Sequence, residues 1–232
     1  MLKRNKGAAK QRSLIALQNP KSTITEQYKT IRTNIEFSQV DGTLKSIMVT
    51  SSGSGEGKST TAANLAIVMA QQGKKVLIID ADLRKPTMHY TFQLPNNDGL
   101  TTLLTNQTKS YEAVKSTGLD NLFILTSGPI PPNPAELLSS AAMKSLIKQV
   151  LSRFDLVLID SPPVLAVTDA QLIASYCDGT ILVVRSGMTE KEVSVKAKTL
   201  LEKAKTRILG VVLNAKPIAK RDRYYYYYSN ES

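Results

Sequence analysis

"SSGSGEGKST" occupies residues 51–60, directly after the apolar run "SIMVTSS" near residue 46. Glycine at 53, 55 and 57 followed by Lys58, Ser59 and Thr60 serves no packed core. It does suit a phosphate. Backbone N–H groups of a glycine-rich turn converge on phosphate oxygens, a lysine at the end of the turn faces the β and γ phosphates, and a serine hydroxyl reaches Mg2+. A helix starting near Lys58 adds its positive dipole end. The candidate nucleotide loop is therefore Gly53, Ser54, Gly55, Glu56, Gly57, Lys58, Ser59 and Thr60. Ser52 stands where the pattern G-x-x-x-x-G-K-[ST] has its first glycine, and serine still fits a tight turn there. The competing reading is a chance glycine-rich turn, which the surrounding strand–loop–helix context disfavours.

Outward from the loop, apolar runs recur near residues 46, 75, 121, 154, 179 and 208. They are continuous, not alternating, as strands buried on both faces of a parallel sheet must be. Helical patterns fall between them at 22–37, 58–72, 134–153, 168–176 and 189–205. The first has Ser22 or Thr23 as its cap and a stripe of Ile24, Tyr28, Ile31 and Ile35. This alternation specifies an α/β phosphate-loop fold: a mostly parallel central sheet with helices on both faces, three layers α/β/α. "GPIPPNPAE" reads as a proline-rich loop. The expected organisation is a basic flexible arm over 1–21, one domain over 22–215, and a flexible tail over 216–232.

Ligands in such sheets sit beyond the carboxyl ends of the strands. Two further strand ends carry carboxylates there. "VLIIDADLRKP" ends in Asp80 and Asp82, whose i, i+2 spacing points both toward one mouth, where they reach a metal or accept a proton. "LVLIDSPP" ends in Asp160, the place of a metal-holding carboxylate in phosphate-loop proteins. Turn-forming aspartates at strand ends are the bland alternative.

Of the net charge of +11, residues 1–21 carry six basic residues and no acid, and residues 215–232 carry four against two, which leaves +3 for the body. A basic globular surface for nucleic acid is thus not indicated, and no specific nucleic-acid partner is expected. The arm is either solvated or attracted to anionic lipid, at about 1 kcal/mol per basic residue near such a surface. No apolar run approaches the length of a membrane span or a signal peptide, which points to the cytosol. Cys177, the single cysteine, reads as a small buried side chain, and His89, the single histidine, as a surface residue.

"RYYYYYSNES" closes the chain with Tyr224, Tyr225, Tyr226, Tyr227 and Tyr228 in a row, a run that no packing period explains. With "SSGSGEGKST", "VLIIDADLR" and "LVLIDSPP" it resembles the Walker A, A-prime and B motifs and tyrosine tail of the bacterial tyrosine kinases, from "TEQYKTIRTNI" to the terminus. That resemblance implies an ATP- and Mg2+-dependent kinase that phosphorylates those five tyrosines in trans. It implies catalytic roles for Lys58, Asp80 and Asp82, with Asp80 the first choice for the base, and Ser59, Asp82 and Asp160 at the metal. Arg84 completes the A-prime pattern without an assigned role. Glu26, Lys29 and Arg32 match the oligomerisation motif E-x-x-R-x-x-R, with lysine replacing the middle arginine. Lysine keeps the charge but loses the planar fork. A solvated helix face is the alternative.

The resemblance is to the Gram-positive type. It implies a ring-like homo-oligomer, an octamer, whose cytoplasmic kinase is recruited to the inner face of the membrane by a transmembrane adaptor of capsular or exopolysaccharide export. Exogenous protein tyrosines and a cognate tyrosine phosphatase complete the implied partners. Asn214, after the last run, stands where related nucleotide-binding folds read adenine, or is a turn asparagine. A partitioning or cell-division ATPase switch, binding DNA or membrane, is the rival. Such proteins carry a signature lysine five residues before the loop lysine, where this chain has Gly53, and lack a tyrosine tail.

Overall fold

Every residue of Ser46–Ser51, Val76–Asp80 and Leu156–Asp160 is buried, which only a strand covered on both faces achieves. The computed structural model describes residues 13–38 and 44–217. In chain order these form α1 (Ile15–Gln18), α2 (Thr23–Phe37), β1 (Ser46–Ser51), α3 (Lys58–Ala70), β2 (Val76–Asp80), α4 (Met88–Phe92), α5 (Leu100–Leu104), α6 (Ser110–Ala113), β3 (Val114–Ser116), β4 (Leu122–Leu125), α7 (Pro134–Ser139), α8 (Ala141–Leu151), β5 (Leu156–Asp160), α9 (Asp169–Ala174), β6 (Gly179–Arg185), α10 (Lys191–Lys203) and β7 (Ile208–Asn214).

The strands make one seven-stranded sheet in the order β3-β4-β2-β5-β1-β6-β7. All neighbours are parallel except β3, which runs antiparallel to β4. Alternate residues feed two cores. Ile47, Val49, Ile78 and Leu158 pack with α1–α4 on one face. Met48, Leu77, Ile79, Val157 and Ile159 pack with α5 and α7–α10 on the other. The α/β/α expectation is met, and β2, β5 and β1 lie side by side, so their carboxyl ends share one mouth.

The six apolar runs are β1, β2, β4, β5, β6 and β7. Ser22 is the cap of α2, accepting from the Thr25 N–H at 3.2 Å. Tyr28 and Ile35 of the expected stripe are buried, but Ile24 is exposed and Thr25 takes its place inside. The single helix expected over 134–153 is two: Ser140 leaves helical geometry at ψ 159° and caps α8 through the Met143 N–H. The pieces α4, α5, α6 and β3 are too short to show a period.

Residues 13–21, expected to belong to a flexible arm, are part of the domain. Asn64 of α3 is fully buried and recognises this segment through its backbone. Its Oδ1 accepts from the Ala16 N–H at 2.9 Å, and its Nδ2 donates to the carbonyls of Ser13 at 3.0 Å and Thr60 at 2.9 Å. Thr25 Oγ1 adds a bond to the Asn19 carbonyl at 2.8 Å. The basic residues of 1–12 and the tail tyrosines Tyr224–Tyr228 lie outside the described residues. No helix among the described residues is long and apolar enough to cross a membrane.

Asn64→Ala leaves the Ala16 N–H and Ser13 carbonyl without their partner, each worth about 1–3 kcal/mol when buried. Urea unfolding of this variant is expected to show a loss of about 2 kcal/mol, with faster proteolysis between residues 13 and 22; unchanged values for both would contradict this account of the segment.

Candidate active site

The loop between β1 and α3 owes its shape to two glycines in the left-handed region, Gly55 at φ 82° and Gly57 at φ 100°. Gly57 has a second reason to be glycine, since a Cβ there would collide with the Asn214 amide. Helix α3 opens directly after it, and its first intrahelical bond runs from the Thr61 N–H to the Gly57 carbonyl at 2.9 Å. The N–H groups of Gly57–Thr60 therefore precede the helical ladder and form the anion-binding end of α3.

Lys58 reaches from this end across the mouth. Its Nζ lies 2.8 Å from Asp82 Oδ2, 3.5 Å from Asp160 Oδ1 and 3.2 Å from Ser59 Oγ. Burial pulls the Lys58 pKa down, but Asp160 and Asp82 outweigh it, and the ammonium is held above its ordinary value. The strand register explains the convergence: Asp80 on β2 sits opposite Asp160 on β5.

The two A-prime aspartates differ sharply. Asp82 pairs with Lys58 and accepts from the Lys85 N–H at 3.1 Å. Asp80 is fully buried, its Oδ2 accepting from the Thr87 and Met88 N–H groups at 3.0 and 2.9 Å and its Oδ1 from the Asp82 N–H at 3.3 Å. Desolvation, reinforced by Asp160, pushes its carboxyl up to about 7 against the pull of those amides and of Lys58. Asp80 thus also organises the loop after β2. Arg84 forks onto buried Asp169 of α9, Nε to Oδ2 at 2.8 Å and Nη2 to Oδ1 at 3.0 Å, tying this loop to the segment that follows β5.

Oxygen donors of this kind suit a hard cation such as Mg2+, which Ser59, Asp82 and Asp160 could hold. Among the described residues no group of three or more His, Cys, Asp and Glu side chains is placed to hold a metal.

The remaining candidates are placed as follows. Asn214 donates its Nδ2 to the Glu56 carbonyl at 2.9 Å, so here it braces the loop. Glu26 and Lys29 pair with each other at 2.7 Å on the outer face of α2, while Arg32 turns inward to the Val68 carbonyl at 2.9 Å. His89 is half-buried beside the Tyr90 ring in α4. Cys177 is half-buried, and desolvation followed by Asp178 pushes its thiol well up, away from reactivity. Two residues escaped the sequence reading. Arg185, at the end of β6, donates to the Gly55 carbonyl at 3.0 Å, a position that its place at a strand's carboxyl end signals. Asp169, by contrast, has no sequence signature beyond opening a short helix.

The Asp80 shift makes stability pH-dependent. Below about pH 4 the carboxyl is protonated in the folded and unfolded chain alike; as pH rises toward 7 the unfolded chain releases the proton and the folded one resists, so stability falls by a few kcal/mol. In chelator and without nucleotide, Asp80→Asn is expected to gain several degrees of Tm over wild type between pH 5 and pH 8. A pH-independent difference would contradict the buried-carboxyl account.

Comparison with known proteins gives the family. A family model described as "AAA domain" matches residues 44–190. The tyrosine-protein kinase YwqD of Bacillus subtilis is 54% identical over 226 residues, covering 97% of this chain and 95% of that one. The putative tyrosine-protein kinase CapB of Staphylococcus aureus is 46% identical over 212 residues, 91% and 93% of the two chains. Among solved structures, the chimerical protein CapA2B2 superposes with a TM-score of 0.86 at 47% identity, over 88% of this chain and 90% of that one. With motifs, fold and near full-length identity in agreement, the chain belongs to the bacterial tyrosine kinase family, Gram-positive type.

Proposed function

We propose that this protein-tyrosine kinase transfers the γ-phosphoryl group of ATP to tyrosine, beginning with Tyr224–Tyr228 of a neighbouring copy. The observation that carries the reading is the Lys58 ammonium held among Asp82, Asp160 and Ser59 at the mouth of a glycine loop. Phosphoryl transfer asks a protein for position and charge neutralisation more than for covalent chemistry. The tyrosine oxygen forms a bond to the γ-phosphorus, the bond from that phosphorus to the β–γ bridging oxygen breaks, ADP leaves, and the phenolic proton goes to a carboxylate.

Lys58 and the N–H groups of Gly57–Thr60 hold the phosphates in this reading. Ser59, Asp82 and Asp160 would hold Mg2+, which when bound would supply charge neutralisation at the phosphates. Asp80 orients the hydroxyl and takes the proton, and its bonds to Thr87 and Met88 fix where that carboxylate stands. Asn214 is within reach of the loop and is the candidate for the adenine edge once nucleotide is bound.

The assembly we propose is a ring, an octamer by family resemblance, joined through Glu26, Lys29 and Arg32 of α2. Glu26 and Lys29 are available on the outer face, whereas Arg32 must leave the Val68 carbonyl to cross to a neighbour. A transmembrane adaptor recruits the kinase to the cytoplasmic face of the membrane, where it regulates capsular or exopolysaccharide synthesis. Exogenous tyrosines are further substrates, and a tyrosine phosphatase resets the tail. Each phosphate adds about −1.5 to −2 charges, enough for a filled cluster to overturn the +2 carried by residues 215–232.

Purified protein given Mg2+ and ATP, with and without an adaptor tail, should develop phosphotyrosine. Lys58→Met should lose both that signal and fluorescent-nucleotide binding, by about 100-fold or more. ATP hydrolysis without phosphotyrosine would favour the partitioning-type switch. Full phosphorylation is expected to shift sedimentation from ring to smaller species; an unchanged profile would contradict the proposed release.

A further inference from the structure

The Glu56 carboxylate is the one acidic side chain within the loop itself, and among the described residues it makes no ion pair with a lysine or arginine. A negative charge beside a triphosphate site is unfavourable unless it points elsewhere and is neutralised. Glu56 is only 3% exposed. Its Oε1 accepts from the Gly53 N–H at 2.8 Å and its Oε2 from the Ser52 N–H at 3.3 Å. The carboxylate therefore folds back on the start of the loop and spans both N–H groups. Gly53 shows the same contact from the other side. Gly53 lies outside the left-handed region, and a Cβ there would come to 3.3 Å from Glu56 Oε1.

Other side chains hold the outward carbonyls. Ser51 Oγ donates to the Gly53 carbonyl at 2.7 Å, Arg185 to that of Gly55 at 3.0 Å, and Asn214 to that of Glu56 at 2.9 Å. The first-turn N–H groups of α3 point the other way, toward the mouth.

We infer that Glu56 is a positioning residue for the nucleotide: its side chain fixes the first half of the loop so that the second half meets the phosphates preformed. The inference rests on the loop being the ATP site. A preorganised loop spares the ligand the cost of ordering it, so the effect belongs in nucleotide affinity and not in the transfer step. Hydrogen bonds to a charged acceptor are the stronger kind. Glutamine offers one acceptor oxygen in place of two, and its amide N–H would face a backbone N–H, so it replaces the brace only in part.

The test is titration of a fluorescent ADP analogue with Mg2+ into the full chain, alongside KM and kcat for ATP in adaptor-stimulated phosphorylation. Glu56→Ala should weaken binding and raise KM by roughly tenfold, Glu56→Gln by an intermediate factor, with kcat within about threefold of wild type and a ligand-free Tm that falls more in the Ala variant than in the Gln variant. Gly53→Ala, which crowds the same oxygen, should weaken binding in the same direction. Wild-type affinity in both Glu56 variants overturns the inference, as does tighter binding by Glu56→Ala, which would make the carboxylate a repulsive element. If Glu56→Ala alone loses Tm, the well-folded Gln variant decides. Wild type that binds no nucleotide overturns the ATP-site reading as well, whereas wild type that binds and Lys58→Met that does not leaves that reading intact whatever Glu56 shows.

Discussion

A lysine ammonium shared by two buried carboxylates, one at the end of β5 and one just past the end of β2, is the contact on which the rest of the site depends. Lys58 lies between Asp82 and Asp160, with Asp80 fully buried beside them. Three carboxylates and one lysine cannot be dry and neutral on their own account, and the strain shows in the raised carboxyl of Asp80. In the proposed reading, nucleotide and cation would relieve it together: a triphosphate would recruit the ammonium and a divalent cation the carboxylates, which would couple ATP binding to Mg2+.

The parallel sheet makes that contact possible. Placing β5 between β1 and β2 brings Asp160 opposite Asp80 and puts both beneath the start of α3. The small residues of α3, Ala62, Ala63, Ala66 and Ala70, let it lie close to the sheet, so the Lys58 side chain spans the mouth while nearly the whole helix is buried. Asn64 on the same helix holds residues 13–16, which links the phosphate end of α3 to the segment that leads to the basic arm.

The features legible in the sequence were those with a period or a spacing. Continuous apolar runs placed six strands, the Gly53–Ser59 pattern placed the loop, and the aspartates at strand ends placed the carboxylates that converge on Lys58. What the sequence could not show depends on partners far along the chain. The Arg84–Asp169 fork joins residues 85 positions apart, the Asn64 clamp reverses the reading of residues 13–21 as a free arm, and Ser140 interrupts a helix whose apolar pattern runs on unbroken. Asn214 is the subtlest case. Its residue type suggested a base reader or a turn, yet its amide lies on the loop and accounts for Gly57.

The central claim is that one copy's site acts on another copy's tyrosine tail. The most direct measurement mixes two complementary partners: Lys58→Met chains with the tail intact, and otherwise wild-type chains truncated after residue 217, which keep the site and lack the tail, with Mg2+, ATP and the adaptor tail. Mass spectrometry of the Lys58→Met chain is expected to show phosphate on Tyr224–Tyr228. A mixture in which that chain stays unphosphorylated, while full-length wild type phosphorylates itself, would contradict transfer between copies.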